Sequence, residues 1–258
     1  MANTGFAEYP EPKTAVLSDS RTGNFTSSEI HRLMSNGKSK GSFGAPYYSY
    51  IEEKKMERRL GRSLSEEIFS RPTTWGELCE TRVFDLLGEE YTPCSRLTLS
   101  HPTVKSWKGT PDVTTLDLVG DIKCPKTLKS FCILVDSWRK GGFNMIRDKH
   151  DDGDKYYWQL VSNAILTKKK YGELTVYCPY RSELAAIRDL ASNFDGDFQS
   201  RFLWVASAHD DELPFVIDGG YYKNLYKMRF EVPISDKMAL HARVEEAQNE
   251  LSDINLLV

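Results

Sequence analysis

Polar and apolar residues alternate on both sides of Gly120, within the stretch Lys108–Pro125. A period of two over several residues is typical of a β-strand. The pattern predicts a β-hairpin in which the region around Gly120 forms the turn. Residues two apart on a strand share a face, so we expect Asp121 and Lys123 to project into the same space.

Apolar residues recur every three or four positions elsewhere, which indicates amphipathic helices. Thr26 with Glu29, and Thr74 with Glu77, have the spacing of a capping box, which starts a helix. The apolar stripe Leu240–Ile254 fits a core position or a partner surface, and we favour the core. Helices are predicted from near Thr26 to the loop Asn36–Pro46, over Tyr47–Leu60, from Thr74 to Gly88, over 127–140 before Gly141-Gly142, over Tyr156–Lys170 and Ser182–Ala191, and over about 235–258.

Further strands are predicted in short apolar runs, mainly in the second half of the chain. The order of elements indicates an α/β fold in which helices flank a central mixed β-sheet. The 258 residues suit a single domain, with 1–20 as an extended lead-in. The strands outside the hairpin are predicted at Arg96–Ser100, Leu174–Cys178, Phe202–Ala206, Leu213–Ile217 and Leu225–Val232.

The composition is that of a globular chain, with 40% hydrophobic and 12% aromatic residues. No apolar run approaches the roughly 20 residues needed to cross a bilayer, so we expect no membrane association. The first residues lack the basic and apolar segments of a secretion signal, and none is expected. The five cysteines form no C-x-x-C pair. This favours a reducing, cytoplasmic compartment and argues against a zinc knuckle or an iron–sulfur cluster.

The net charge of −3 neither indicates nor excludes a nucleic-acid-binding protein. An acidic site subtracts from the charge of a surface whose basic residues are clustered. Two basic clusters occur, and each fits either a solvated helix face or a phosphate-binding track. They are Lys54, Lys55, Arg58, Arg59 and Arg62, and Lys168, Lys169 and Lys170.

Two acids and a lysine in the predicted hairpin are candidates for chemistry. Asp112 follows Pro111, a common turn pair, and the segment Asp121–Lys123 alone fits an exposed strand. The neighbours of Asp121 are mostly apolar, however, and a buried charge is costly unless it is paired or bound to metal. If Asp112 lies across the hairpin, the three side chains form a pocket suited to a divalent metal beside an activated water.

A third acid is expected from the helix that contains Glu77 and Glu80. Glu77 has a structural explanation as the capping-box residue, whereas Glu80 shares a helix face with apolar residues, where an unpaired carboxylate is costly. Glu80 would complete a set of oxygen ligands, which Mg²⁺ prefers.

The sequence P-D-x(8)-D-I-K-C-P at Pro111–Pro125 resembles the core of the PD-(D/E)xK nucleases, which have a restriction-endonuclease-like fold. Three further blocks are similar to the phage lambda-type 5′→3′ alkaline exonucleases. They are R-T-G-N-F-T-S-S-E-I at Arg21–Ile30, W-G-x-x-x-E at Trp75–Glu80 and Y-x-x-Q at Tyr156–Gln159. Together the blocks cover roughly residues 20–180 in the order of that family.

The resemblance implies a role for each matching residue of the core. Asp112, Asp121 and the backbone carbonyl of Ile122 would bind the metal, and Glu80 would complete the site directly or through water. Lys123 would orient the attacking water and offset the charge that builds up on phosphorus.

Three residues outside the core also match positions with a role in the family. Gln159 would hold the water of the metal site or the neighbouring lysine. Arg21 and Ser28 would bind the terminal 5′-phosphate of DNA. Ser28 would do so from the first turn of the helix predicted at Thr26, whose N-terminus favours an anion.

The implied activity is a Mg²⁺-dependent exodeoxyribonuclease, with Mn²⁺ as a substitute, in a bacterial or phage-infected cell. It would degrade linear double-stranded DNA from 5′-phosphate ends and leave 3′ single strands for recombination. The resemblance also implies a ring-shaped trimer and a single-strand annealing protein as partner. A restriction-like or structure-selective endonuclease and a catalytically silent DNA-binding protein are the alternatives. The complete set of Asp112, Asp121 and Lys123 argues against the silent protein.

Overall fold

The computed structural model of the protein describes residues 21–64, 70–94, 97–194 and 199–252. The lead-in predicted at 1–20 and the apolar residue Ile254 lie outside these ranges. The α-helices are α1 (Ala45–Leu60), α2 (Arg71–Leu86), α3 (Leu128–Lys149), α4 (Gly153–Leu166), α5 (Leu184–Ser192), α6 (Leu203–Ser207) and α7 (Ile234–Ser252). Short 3₁₀ helices cover Ile30–Met34, Arg181–Glu183, Gln199–Arg201 and Asp210–Glu212. The strands are β1 (Phe25–Thr26), β2 (Thr92–Pro93), β3 (Leu99–Ser100), β4 (Trp107–Gly109), β5 (Val113–Thr114), β6 (Leu118–Lys123), β7 (Tyr171–Tyr177) and β8 (Leu225–Glu231).

A five-stranded sheet in the order β2-β5-β6-β7-β8 forms the centre of the fold. Strands β6 and β7 are parallel, and the other neighbouring strands of this sheet are antiparallel. A smaller sheet has the order β1-β4-β3. The predicted central mixed sheet with flanking helices is therefore confirmed.

Apolar cores cover both faces of β6. Val119 packs in one core with side chains of α1, α3, α4 and α7. Ile122 packs in the other with side chains of α2 and α5. Because β6 is enclosed on both faces, a charged residue on it needs a partner. Among the described helices, none is long and apolar enough to cross a membrane.

The helices α1 and α7 match their predictions most closely. Helix α1 contains Pro46 in its first turn and ends at Gly61, which has a left-handed conformation with a φ of 67°. In α7 the stripe from Leu240 to Leu251 is fully buried, which confirms the core position of its described part.

The helix predicted from Thr26 is wrong. Thr26 belongs to β1, and its N–H donates to the hydroxyl of Tyr50 at 2.9 Å. Only the 3₁₀ helix Ile30–Met34 follows, and its cap residue Glu29 makes no side-chain cap bond. The contact with Tyr50, which is distant in sequence, replaces the local capping box.

The second predicted capping box is wrong as well. Helix α2 begins before Thr74, because the hydroxyl of Ser70 accepts a hydrogen bond from the N–H of Thr73 at 3.3 Å. Glu77 forms an ion pair with Arg201 and takes no part in capping.

The turn of the central hairpin lies at Thr115–Asp117, not at Gly120. The N–H of Thr115 donates to the carbonyl of Leu118 at 3.0 Å and closes the turn. Gly120 lies inside β6, opposite Val113. A Cβ at position 120 would lie 2.6 Å from Cγ2 of Val113. Glycine here permits close packing of the two strands.

Two of the predicted strands are wrong. The segment Phe202–Ala206 falls largely in α6. The segment Leu213–Ile217 has only one isolated bridge, between Val216 and Tyr180. A short apolar run is compatible with either a strand or a buried helix, so its pattern alone could not decide.

The helix predicted at 127–140 continues past the two glycines as α3, although its geometry is broken there. Gly142 has a φ of 61° and a ψ of −151°, which is not helical. The chain reverses at this point, since the hydroxyl of Ser130 lies 2.7 Å from Nε2 of His150. Helix α3 is therefore two arms, Leu128–Lys140 and Phe143–Lys149.

We expect Gly142→Ala to destabilise the protein by about 1–3 kcal/mol, because this backbone conformation is nearly restricted to glycine. Thermal and denaturant unfolding measure the loss. Gly76→Ala is the matched control, since a Cβ there meets no atom within 4 Å and alanine favours a helix. Equal stability of wild type and Gly142→Ala would contradict the strained turn.

Candidate active site

The register of β5 and β6 brings the two aspartates of the central hairpin together. Val113 lies opposite Gly120 at the end of this antiparallel register, and Asp112 and Asp121 are the residues that directly adjoin this pair. The N–H of Asp112 donates to the carbonyl of Gly120 at 3.3 Å, which holds Asp112 beside the segment that begins at Asp121. The approach of Asp112 that the sequence predicted is thus present.

The carboxylate of Asp112 bonds to the backbone of β6. Its Oδ2 accepts a hydrogen bond from the N–H of Ile122 at 2.6 Å. The N–H and C=O of one residue point to the same edge of an extended strand, so the carbonyl of Ile122 faces the side on which Asp112 lies. Burial, followed by repulsion from Asp121, raises the pKa of Asp112 well above its ordinary value.

Asp121 is only 1% exposed and lies between a cation and an amide. Its Oδ1 accepts a hydrogen bond from Nε2 of Gln159 at 2.5 Å. Its Oδ2 lies 2.7 Å from Nζ of Lys123. This contact is a charge-assisted ion pair. A carboxylate oxygen has more than one lone pair, so Oδ2 can accept a further ligand beside the lysine.

Lys123 is held in its charged form. Burial acts to lower its pKa, but the charges of Asp121 and Asp112 outweigh burial and raise the pKa above the ordinary value. Its Nζ also lies 5.2 Å from the centre of the Tyr156 ring. No role was predicted for Tyr156. The Y-x-x-Q spacing places Tyr156 and Gln159 on one helix face, but the contact with Lys123 depends on the position of a distant strand.

Glu80 reaches the same pocket from α2. Burial, with added repulsion from Asp121, raises its pKa to about 7, and Lys123 opposes this shift. The third carboxylate expected from the sequence therefore lies within electrostatic range of the other two. Glu77, one turn earlier on α2, pairs with Arg201 instead.

These groups fit a hard divalent cation. Three carboxylates in a partly buried pocket repel one another, and a cation would offset the repulsion. With the carbonyl of Ile122 they supply the oxygen ligands that suit Mg²⁺ or Mn²⁺. In the part of the chain that the structure describes, no three His, Cys, Asp or Glu side chains already have the spacing of a metal site. Internal hydrogen bonds and the lysine compete for the same oxygens.

Arg21 and Ser28 lie together, as the sequence predicted. Nη2 of Arg21 donates to the hydroxyl of Ser28 at 3.3 Å, and this hydroxyl lies 3.2 Å from that of Thr26. The helix N-terminus expected at Ser28 is wrong, because a 3₁₀ helix begins later and Glu29 places an acid beside it. Only the guanidinium and the hydroxyl groups remain to bind an anion.

Helix α1 fixes the segment that carries Arg21. The N–H of Gly23 donates to Oε2 of Glu57 at 2.7 Å, and Nε of Arg58 donates to the carbonyl of Gly23 at 2.8 Å. Lys54 pairs with the same Glu57 at 2.9 Å. Three members of the first basic cluster thus have partners within the fold, since Lys55 also pairs with Glu52 at 2.7 Å.

One face of α4 joins the Arg21 region to the acidic pocket. Residues 155, 159 and 162 share this face. Lys155 pairs with Glu29 at 3.2 Å, and the hydroxyl of Ser162 lies 2.7 Å from that of Ser27. Gln159 lies between them on the helix, and its side-chain amide donates a hydrogen bond to Asp121 in the acidic pocket. The two groups of candidate residues are therefore positioned by the same helix.

Comparison with solved structures finds exonucleases among the similar folds. An alkaline exonuclease from Laribacter hongkongensis matches with a TM-score of 0.55 and 17% identity over 90% of both chains. A phage-related exonuclease from Haemophilus somnus 129PT matches with a TM-score of 0.55 and 15% identity, over 90% of this chain and 94% of its own. This chain has the fold of these exonucleases.

The likeness to this exonuclease fold extends over nearly the whole chain. The structure of the Laribacter enzyme in complex with dAMP matches with the same score and identity. No family model matches the chain, and no curated protein matches it either. The expected PD-(D/E)xK type of core is confirmed as a fold. The chemistry of the site is inferred from the side chains of the pocket.

We expect Glu80→Gln to raise the free energy of unfolding more at pH 8 than at pH 5, measured in EDTA. The pKa of Glu80 is about 7 in the folded protein against an ordinary 4.5. Its contribution to stability is therefore complete below the unfolded value and is lost as the pH rises through about 7. Glutamine does not ionise, so the advantage of the variant grows by about 2 kcal/mol over this range.

Asp85→Asn is the control for this measurement, since Asp85 is exposed on the same helix. Denaturant unfolding at both pH values should show no comparable growth for it. An equal gain at pH 5 and pH 8 for Glu80→Gln would contradict the raised pKa.

Proposed function

We propose that this protein is a metal-dependent exodeoxyribonuclease that degrades linear double-stranded DNA 5′→3′ from 5′-phosphate ends and leaves 3′ overhangs. One observation carries the proposal: Asp112 and Asp121 lie in one pocket at the end of a buried strand, with Lys123 and Glu80 alongside. Nothing in the packing of this strand requires such a set of charges. The exonuclease fold of the solved structures supports the same activity.

The acidic residues would hold the metal ion. Asp112, Asp121 and the carbonyl of Ile122 would be ligands, and Glu80 would complete the site directly or through water. Bound Mg²⁺, or Mn²⁺ in its place, supplies a Lewis acid beside the scissile phosphate. Lys123, which pairs with Asp121 at 2.7 Å, would lie beside these ligands and act on the substrate.

Lys123 would position the attacking water and offset the charge that develops on the phosphate. Its raised pKa keeps the ammonium charged at neutral and moderately alkaline pH. The ring of Tyr156 covers the ammonium, and Gln159 fixes the carboxylate beside it. A charged donor that is already oriented stabilises a transition state without further reorganisation.

Two groups of residues would select the DNA end. Arg21 and Ser28 would bind the 5′-phosphate through charge-assisted hydrogen bonds. Arg71, at the start of α2, has its guanidinium 5.2 Å from the centre of the Trp204 ring. Lys126, just after β6, has its Nζ 5.1 Å from the same ring. This second cluster would contact backbone phosphates next to the scissile one. The ring-shaped trimer and the annealing partner expected from the sequence stay predictions.

Purified protein with Mg²⁺ should shorten linear duplex DNA and leave covalently closed circles intact, as measured on gels. Asp112→Asn should reduce this hydrolysis by about 100-fold or more, because the site loses a ligand and a charge. DNA binding, measured in EDTA, should persist.

Asp117→Asn is the matched control, because Asp117 lies in the turn of the same hairpin and pairs with Arg229. It should retain wild-type activity. Cutting of closed circles would support the endonuclease alternative, and DNA binding without hydrolysis under any metal would support the silent protein.

Arg21→Ala should slow degradation from 5′-phosphate ends by about 10- to 100-fold, the scale of one or two hydrogen bonds to a charged group. Rates on 5′-hydroxyl ends should change little. Arg229→Ala, an exposed arginine on β8, serves as control. Equal losses on both kinds of end would exclude a 5′-phosphate pocket at Arg21.

A further inference from the structure

A groove of about 460 Å³ lies between the two arms of α3. The first arm contributes Lys129, Cys132 and Ile133, and the second contributes Met145 and Lys149. The proposed nuclease site uses none of these residues. The reversal at Gly142 creates the groove, because it folds the second arm back along the first.

The lining of the groove combines apolar side chains with positive charge. Lys129, Lys140 and Lys149 are exposed along it, against one lining carboxylate, Asp136. Asp136 already accepts a hydrogen bond from the hydroxyl of Tyr222 at 2.8 Å. Lys149 pairs with its exposed neighbour Asp148, an interaction of little energy at the surface. An anionic ligand with apolar parts fits this chemistry.

One end of the groove lies next to the proposed catalytic lysine. Ser130 contacts His150, which brings the Lys129 and Lys149 ends of the two arms together. The ring centre of His150 lies 5.5 Å from that of Tyr156, whose ring lies against the ammonium of Lys123. Two side chains therefore separate the groove from the pocket.

Three tyrosines lie around Arg139 at the other end of the groove, and of these Tyr221 is exposed whereas Tyr222 and Tyr226 pack against the core. The guanidinium of Arg139 is 4.8, 5.7 and 5.3 Å from the rings of Tyr221, Tyr222 and Tyr226. Tyr221 is 75% exposed, so its ring is accessible to a ligand. Unpaired bases stack on such rings and on arginine, whereas the base pairs of a duplex offer no open faces along their length.

We propose that this groove binds single-stranded DNA and guides the uncut strand away from the active site. The proposal rests on the proposed nuclease function for the origin of the strand, because digestion of one strand leaves the other unpaired. The lysines would neutralise phosphates over about 16 Å, the rise of eleven helical residues between Lys129 and Lys140. Tyr221 would stack a base that leaves the groove.

Binding of a fluorescent oligothymidylate, measured by anisotropy in EDTA, tests the groove without any hydrolysis. Tyr221→Ala should weaken binding by about 5- to 50-fold through the loss of base stacking. The double variant Lys140→Gln/Lys149→Gln should lower the slope of log K against log salt by about 1.4, since each phosphate contact to a single strand contributes about 0.7. The exposed positions leave folding intact, which circular dichroism checks.

Tyr48→Ala and Lys38→Gln/Lys105→Gln are the matched controls, because these side chains are exposed outside the groove. Unchanged binding and salt slope in the groove variants would overturn the proposal, as would equal losses in the controls. Groove-dependent binding by a protein that hydrolyses no DNA would keep the groove and reject the nuclease. Hydrolysis with normal oligonucleotide binding by the groove variants would reject the groove alone.

Discussion

The antiparallel register of β5 and β6 is the constraint on which the candidate site depends. A slip by one residue would turn Asp112 to the other face of the sheet and separate it from Asp121. Repulsion between the two carboxylates opposes this register, because like charges repel. Apolar packing of Val113 over Gly120, and the bond from the N–H of Ile122 to Asp112, hold it instead. The chemistry of the pocket is thus maintained by the hydrophobic fit of its hairpin.

The pocket also lowers the stability of the fold that contains it. The pKa values of Asp112 and Glu80 are raised mainly by burial, which means that their charged forms are unfavourable in the folded protein. Lys123 and Gln159 offset part of this cost at Asp121. Such a loss of stability is common where charged groups are gathered for function rather than for packing.

The acidic cluster could be predicted from the sequence, because the D-x-K spacing on a strand and the apolar neighbours of Asp121 are local signals. The same holds for α1, whose glycine stop at Gly61 is local. Features that depend on distant contacts could not be predicted in this way. Tyr50 takes the N–H that a capping box at Thr26 would have used, and the packing of Val113 explains Gly120 where composition indicated a turn. The role of Tyr156 required knowledge of where Lys123 lies.

Helix α4 contacts the Arg21 region through Lys155 and Ser162 and the acidic pocket through Gln159. A helix is stiff over a few turns, so the separation between an end-binding group and a cutting group on its face is constant. If the protein has the proposed function, α4 sets the distance between the bound DNA end and the site of cleavage. Each cut would then fall at a fixed distance from the bound end and would release products of uniform length, whatever bases they carry.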